Sequence, residues 1–404
     1  MVDLSCWRKS ATRSIRESRF ARFAPNYIVR PSGILTKHHA ELCRTRTIEK
    51  QSGFRQIHAG GGIKRVLFHE GVFDSITTID NLLAAWHEFR KGKRGKTDLR
   101  QFEYTLEDHL FQLQRDLASG TYQHAKYRQF RITDPKERTI SKAAIRDRLL
   151  HRAIYRILYP KWDTTFIFDS YSCRDNKGTH KAFMRLEDVA RKVSKNYTQP
   201  CFALKCDIRK FFDSIDHQIL IGLLEDRITD GKLLKLLRGI IGSFEHSPGK
   251  GMPLGNLTSQ LFANIYMDSL DKFVKHQLKA KHYLRYADDF IFLTDNPDEL
   301  MGYFVEVNHF LETELKLNLH PDKISLRKLN WGIDYVGYVT LPYYSLPRKK
   351  TVRRILKNLE RAVSRQEPNL ENQYQSYSGY LCHVNSSHIQ AQLKEIMNRS
   401  WNPG

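Results

Sequence analysis

The sequence predicts an α+β fold, and three stretches of the chain carry that prediction. Tyr286-Ala287-Asp288-Asp289 lies between two apolar, β-prone runs, His282-Tyr283-Leu284-Arg285 and Phe290-Ile291-Phe292-Leu293. That arrangement reads as a short hairpin with two acids at its tip. Phe202-Ala203-Leu204-Lys205-Cys206-Asp207 reads as a buried strand that ends in an acid, and Ile208 to His217 as the turn into a helix. Helical stretches accompany these strands, at Leu261 to Met267 and through most of the chain after Pro347.

Paired aspartates are poor strand formers and repel each other unless a cation sits between them. Mg²⁺ suits such a place, because it binds one or two carboxylates and completes its shell with substrate phosphates. Taken alone, the four residues also fit an ordinary acidic turn. Two-metal phosphoryl transfer needs carboxylates from separate elements, and Asp207 supplies the second element. Between the two acidic sites lies Gly251-Met252-Pro253-Leu254-Gly255-Asn256-Leu257-Thr258-Ser259-Gln260, a glycine-containing turn feeding the helical run. Glycine there lets the backbone come close to a ligand.

In this order the three segments resemble motifs A, B and C of reverse transcriptases. The resemblance implies a right-hand polymerase: an antiparallel palm sheet, fingers, and an all-helical thumb. It implies that Asp207, Asp288 and Asp289 hold two Mg²⁺ ions, with Mn²⁺ able to substitute, and that the Ile208 carbonyl completes one metal shell. Phe212, five residues after Asp207, would close over the sugar of the incoming dNTP and exclude a 2′-hydroxyl. One of Phe211 and Phe212 is expected to be core, and Asp213 and Asp216 to be helix-start acids. Most members carry Gln-Gly and Ser-Pro in motif B, where this chain has Leu254-Gly255 and Ser259-Gln260. That variant resembles the diversity-generating retroelement type, in which copying is error-prone at template adenines. Leu254, Gly255 and Gln260 would then line the dNTP site.

The resemblance runs further in both directions. Arg131 to Ser141 resembles the fingers hairpin, with Arg138, and second Lys136, as triphosphate-binding cations. Arg146 to Ile154 reads as an amphipathic helix whose arginines are either a solvated face or a functional one. Asp169 to Arg174 and Lys177 to Ala182 resemble the next fingers motif. Lys316 to Ile324 resembles motif D, which makes Lys323 a candidate general acid for the leaving pyrophosphate; a plain surface lysine is the alternative. His320 is expected to be a packing residue. Ile333 to Val339 resembles the motif E primer grip.

Composition agrees with a polyanionic partner. The 404 residues carry a net charge of +22, a pI near 9.7 and an apolar fraction of 41%. Such a charge favours nucleic acid bound through counterion release. No apolar run approaches the roughly 18 residues needed to span a bilayer, and no signal-peptide core is found. Six cysteines without zinc-type spacing point away from a disulfide framework and towards a reducing bacterial cytoplasm.

Three regions are expected. Residues 1–72 are a basic extension, transit-peptide-like in composition but read here as RNA-binding. Residues 73–346 are fingers and palm, with helices at Asn81 to Lys91 and Thr105 to Ser119 joined by a basic linker, Lys91 to Arg100. Residues 347–404 are the thumb, with Pro347 in the first turn of a helix and further helices at Gln373 to Val384 and His388 to Trp401. Arg348, Lys349, Lys350, Arg353, Arg354 and Lys357 include no acid, and they are expected to track the phosphates of the template–primer duplex. The expected partners are a template or noncoding RNA, its cDNA, dNTPs, and an accessory protein or partner reverse transcriptase. A defence role with a noncoding RNA and an RNA-binding maturase are the alternative settings.

Overall fold

The computed structural model describes residues 66–134 and 137–401. The basic extension therefore lies almost wholly outside the described residues, as does Lys136. Two compact units divide the chain. One comprises the residues up to Phe166, Asp207–Asp271 and Val307–Ile324; the other comprises Ile167–Cys206, Lys272–Glu306 and the chain from Ser325 onward.

In the first unit the helices Val72–Thr77, Ile79–Arg90, Thr97–Tyr104 and Leu106–Ala118 precede a hairpin of β1 (Arg128–Ile132) and β2 (Arg138–Lys142). Thr78 caps the helix Ile79–Arg90 by accepting from the Asn81 N–H. That helix buries Leu82, Ala85, Trp86 and Phe89 and packs against the long helix Ile145–Asp163. Leu110, Leu113 and Leu117, at helical spacing, are buried along the helix Leu106–Ala118. The expected basic linker is shorter than the sequence suggested, because a helix starts at Thr97. Leu99 is buried there, and Phe102 stacks on His109 with centroids 4.1 Å apart. Tertiary burial decides that segment despite its charge.

The arginines of the helix Ile145–Asp163 face protein partners. Arg146 bonds Asp116 at 2.5 Å, Arg148 lies 4.6 Å over the Phe89 ring, and Arg152 is 3.8 Å from Glu88. These cations hold the fold. The helix also buries Asp147, which accepts from the Tyr122 hydroxyl at 2.7 Å and the Ala125 N–H at 3.1 Å.

The second unit is built on a four-stranded sheet. Its strands are β3 (Phe202–Asp207), β4 (Tyr283–Tyr286), β5 (Asp289–Thr294) and β6 (Ser325–Lys328), in the order β4-β5-β3-β6. The β4–β5 and β3–β6 pairs are antiparallel. The helix Thr179–Val193 covers this sheet, and Ala182, Leu186, Val189 and Ala190 pack with Ala203, Leu284, Ile291 and Leu293. A second, antiparallel sheet follows, with β7 (Ile333–Tyr335), β8 (Tyr338–Thr340) and β9 (Ser345–Pro347) in that order.

Three helices, Lys349–Ser364, Leu370–Leu381 and Ser387–Trp401, form the C-terminal bundle around Ile355, Leu359, Leu381, Leu393, Ile396 and Met397. Pro347 ends β9 and does not start the helix, which begins two residues later. Its φ and missing N–H suit a strand end as well as a first helical turn. Among the described residues no helix is long and apolar enough to cross a membrane.

Candidate active site

Asp288 and Asp289 stand on a hairpin whose tightness follows from its register. Tyr286 pairs with Asp289, so only Ala287 and Asp288 make the turn. Ala287 adopts φ 56°, a left-handed conformation that a two-residue hairpin demands. The completely buried Arg285 supports this turn by donating from Nη1 to the Ala287 carbonyl at 3.1 Å. Its backbone is clamped as well: Arg285 N donates to Asp169 O at 2.9 Å, and Tyr171 N donates to Arg285 O at 2.9 Å. The segment Asp169 to Arg174 thus supports the acidic turn. Burial raises the pKa of the Tyr286 phenol, so it stays protonated beside the acids. Asp289 meets Lys205, with Nζ 3.1 Å from Oδ2.

Asp207 ends β3, and its surroundings come from the segment Asn318 to Lys323. His320 N donates to Asp207 O at 2.8 Å, Arg209 N donates to Asn318 O at 2.9 Å, and Ile208 bridges Leu319. This backbone ladder carries the short 3₁₀ turn Pro321–Lys323 to the carboxylate, and Lys323 Nζ lies 2.5 Å from Asp207 Oδ1. His320, expected only to pack, caps that turn, since its Nδ1 accepts the Asp322 N–H at 3.3 Å.

Phe211 is buried and Phe212 only half-buried, with their rings 5.3 Å apart at 70°. The partly open ring is the one the sequence assigned to the nucleotide sugar. Met252 N donates to Phe212 O at 2.7 Å, tying this loop to motif B. Asp216 is a helix cap, accepting from Gln218 N at 3.0 Å and Ile219 N at 3.2 Å. Burial acts to raise its pKa, but the bond from Lys316 at 3.0 Å and the two backbone donors bring the net shift below the ordinary carboxylate value.

Motif B and the β1–β2 hairpin are joined. Ser141 N donates to Leu254 O at 3.2 Å, and the buried Asn256 donates from Nδ2 to Ser141 O at 3.2 Å. Gly255 has φ 103°, and a Cβ there would stand 3.0 Å from Ile140 Cγ2. The positive φ favours glycine there, and the close Ile140 methyl adds to that preference. Leu254 and Gln260 are half-buried, and Arg138 is exposed at the start of β2. Asn256 escaped the sequence reading, although a polar residue held between Gly255 and an apolar helix was a usable signal.

On the helix Lys349–Ser364, the side chains of Lys349, Lys350, Arg353 and Lys357 are exposed, opposite the buried Ile355, Leu359 and Ala362. Arg354 is half-buried. Arg348 departs from the expected phosphate-tracking face. Its guanidinium is paired with Asp334, with Nε 2.8 Å from Oδ1, and so ties β7 to the helix start.

The donor set suits a hard divalent cation: aspartate oxygens and the backbone carbonyl of Ile208. Asp207 and Asp289 each draw an ammonium group, so both sites attract cations. Among the described residues no three His, Cys, Asp or Glu side chains converge into a ready metal cage. Phosphate oxygens of a substrate would have to complete any such shell.

A family model described as "Reverse transcriptase (RNA-dependent DNA polymerase)" matches residues 131–340, more than half of the chain. The chain belongs to the reverse transcriptase family, whose members are RNA-directed DNA polymerases. Protein YkfC of Escherichia coli (strain K12) is 25% identical over 56% of this chain and 69% of its own length. The putative COX1/OXI3 intron 2 protein of Saccharomyces cerevisiae is 21% identical over 65% of the chain, and the alignment spans 38% of that protein. The group II intron-encoded protein LtrA of Lactococcus lactis subsp. cremoris is 29% identical over 43% of the chain and 29% of its own length. A chain of the solved structure titled "Partial Cas6-RT-Cas1--Cas2 complex" aligns with 60% of this chain and 43% of its own at 21% identity. Its TM-score of 0.36 is too low to bear on function.

Proposed function

We propose that this chain copies an RNA template into cDNA by two-metal nucleotidyl transfer, with Asp207, Asp288 and Asp289 as the metal-binding carboxylates. The observation that carries this reading is the β4–β5 hairpin, whose two-residue turn holds the Asp288 and Asp289 carboxylates side by side. Mg²⁺ bound there would lower the pKa of a primer 3′-hydroxyl and neutralise the triphosphate. The chain's own residues do the rest by positioning and charge. Phe212 offers a half-buried ring under the sugar, and Leu254, Gly255 and Gln260 shape the surface for the base pair. Arg138, with Lys136, draws in the triphosphate. In this reading Lys323, 2.5 Å from Asp207, gives a proton to the departing pyrophosphate. Primer extension on RNA with dNTPs and Mg²⁺, by the wild type and Asp207→Asn, tests the reading. A variant as active as the wild type would overturn it.

The setting we propose is a diversity-generating retroelement, supported by Leu254-Gly255 and Ser259-Gln260 at the nucleotide site. An intron-borne role is a second reading, favoured by the names of the intron-encoded relatives. Sequencing the RNA that copurifies with the full chain separates the two. A template with an adjacent variable repeat supports the first, and a self-splicing intron supports the second.

A further inference from the structure

Asp207 and Asp289 meet their lysines in different ways. Lys323 stands on a short turn with its side chain 43% exposed, and can swing away. Lys205 projects from within β3 and is only 18% exposed, with Asp289 itself 24% exposed. The fully buried Tyr335 lies beyond it, its ring 6.0 Å from the ammonium. Burial, and then the Asp289 charge, push the Tyr335 phenol well above its ordinary pKa, so it remains neutral. A largely buried ammonium on a strand cannot easily trade its carboxylate for water.

We propose that Lys205 is a fixed counter-cation of the acidic hairpin. It holds Asp289 Oδ2 and cancels one of the hairpin's two adjacent negative charges. This rests on the reading that the hairpin binds Mg²⁺. Its physical reason is the repulsion between Asp288 and Asp289, which would otherwise oppose the turn whenever metal is absent. Arg285 holds the turn's backbone from the buried side, and Lys205 balances its charge. The same fixed charge disfavours a second cation nearby. Metal affinity is therefore lower with Lys205 in place than the carboxylates alone would give. Lys205 is a positioning residue, acting through Asp289.

The test reads metal binding without chemistry. The full chain is bound to an RNA template and a dideoxy-terminated DNA primer, with the matching dNTP present. Mn²⁺ is then titrated, and the free ion is followed by electron paramagnetic resonance. Lys205→Met is expected to bind Mn²⁺ about tenfold more tightly, the scale on which one nearby charge moves an ionisation. Lys205→Arg should match the wild type, and Asp288→Asn should lose the binding. Unchanged affinity in Lys205→Met, or Lys205→Arg behaving like Lys205→Met, would overturn the proposal while leaving the metal site intact. No Mn²⁺ binding by the wild type would overturn both. Should Lys205→Met fail to fold, thermal stability decides. Asp289→Asn should lower the midpoint and Asp289→Asn with Lys205→Met should restore it; additive losses would end the idea.

Discussion

Lys323 Nζ lies 2.5 Å from Asp207 Oδ1 although 116 positions separate the two residues. The backbone bonds from His320 to Asp207 and from Arg209 to Asn318 fix this approach, so the lysine arrives on a rigid track. An ordinary surface lysine would have no such track. If Lys323 is the general acid, Lys323→Ala should slow single-turnover incorporation by about 10²-fold, the lower range for such catalysis. Lys323→Arg keeps the charge beside Asp207 but is a poor proton donor near neutral pH. It should therefore remain slow. Full rescue by arginine would show that Lys323 serves only as a counter-ion.

Asp288→Asn is expected to abolish DNA synthesis while RNA binding stays within a few-fold of wild type. The substitution removes a proposed metal ligand but barely alters the field of a chain carrying +22. Primer extension and filter binding on the same preparations check this. Near-native extension would refute the metal assignment.

Phe211 and Phe212 should separate cleanly. Phe211 is core, so Phe211→Ala should cost about 3–5 kcal/mol of stability. Phe212 is half-buried, so Phe212→Val should leave folding almost intact and admit ribonucleotides by opening the space beneath the 2′ position. Incorporation ratios for rNTP against dNTP, beside a denaturant titration, measure both. Unchanged sugar discrimination would remove Phe212 from the site.

The core of this arrangement was legible because its residues violate ordinary patterns. Acids at the end of β3 and in the β4–β5 turn contradict strand propensity, and the sequence alone flags such contradictions. Arg285 and Lys205 were not legible. A cation in a strand reads as a solvent-facing residue until the sheet order shows what lies beside it. Arg348 misled for a related reason, since its partner Asp334 is on a strand and not on the same helix face. The helix at Thr97 was hidden by the surrounding lysines and arginines, because its one buried residue, Leu99, makes no stripe.

His151 links the helical region to acid sensitivity. Both of its ring nitrogens are buried without a hydrogen-bond partner among the described residues. Burial first, then His124 and Arg148, lower its pKa to about 3. An unfolded chain takes up this proton near pH 6.5, whereas the folded one resists until about pH 3. Stability is therefore present above pH 6.5 and falls as pH drops, by at most ~1.4 kcal/mol per pH unit from this group. His151→Leu should flatten that slope and, by removing unsatisfied polar atoms, add about 1 kcal/mol at neutral pH. Urea midpoints of both proteins from pH 7 to pH 4 give the comparison. Parallel slopes would show that His151 is not the group responsible.

Under the proposed retroelement reading, Leu254 sets how faithfully the enzyme copies. Its backbone carbonyl is taken by Ser141 N, and the neighbouring Gly255 is fixed by its positive φ and by Ile140, so only the Leu254 side chain is free to vary in chemistry. Most family members place glutamine there, whose amide can hydrogen-bond the incoming nucleotide or its template partner. An aliphatic side chain supplies shape without that polar contact. A site that hydrogen-bonds its substrate discriminates far more strongly than one relying on shape. The wild type is therefore expected to misincorporate often, chiefly opposite template adenines, and Leu254→Gln to lower that error about tenfold, equivalent to roughly 1.4 kcal/mol of discrimination. Gly255 and Ser141 should hold the loop in place, so the overall extension rate should change far less than the error. Deep sequencing of cDNA made by both enzymes on one RNA decides the matter. Low error spread evenly over the four template bases in the wild type would remove the support for the retroelement setting and leave the intron-borne reading.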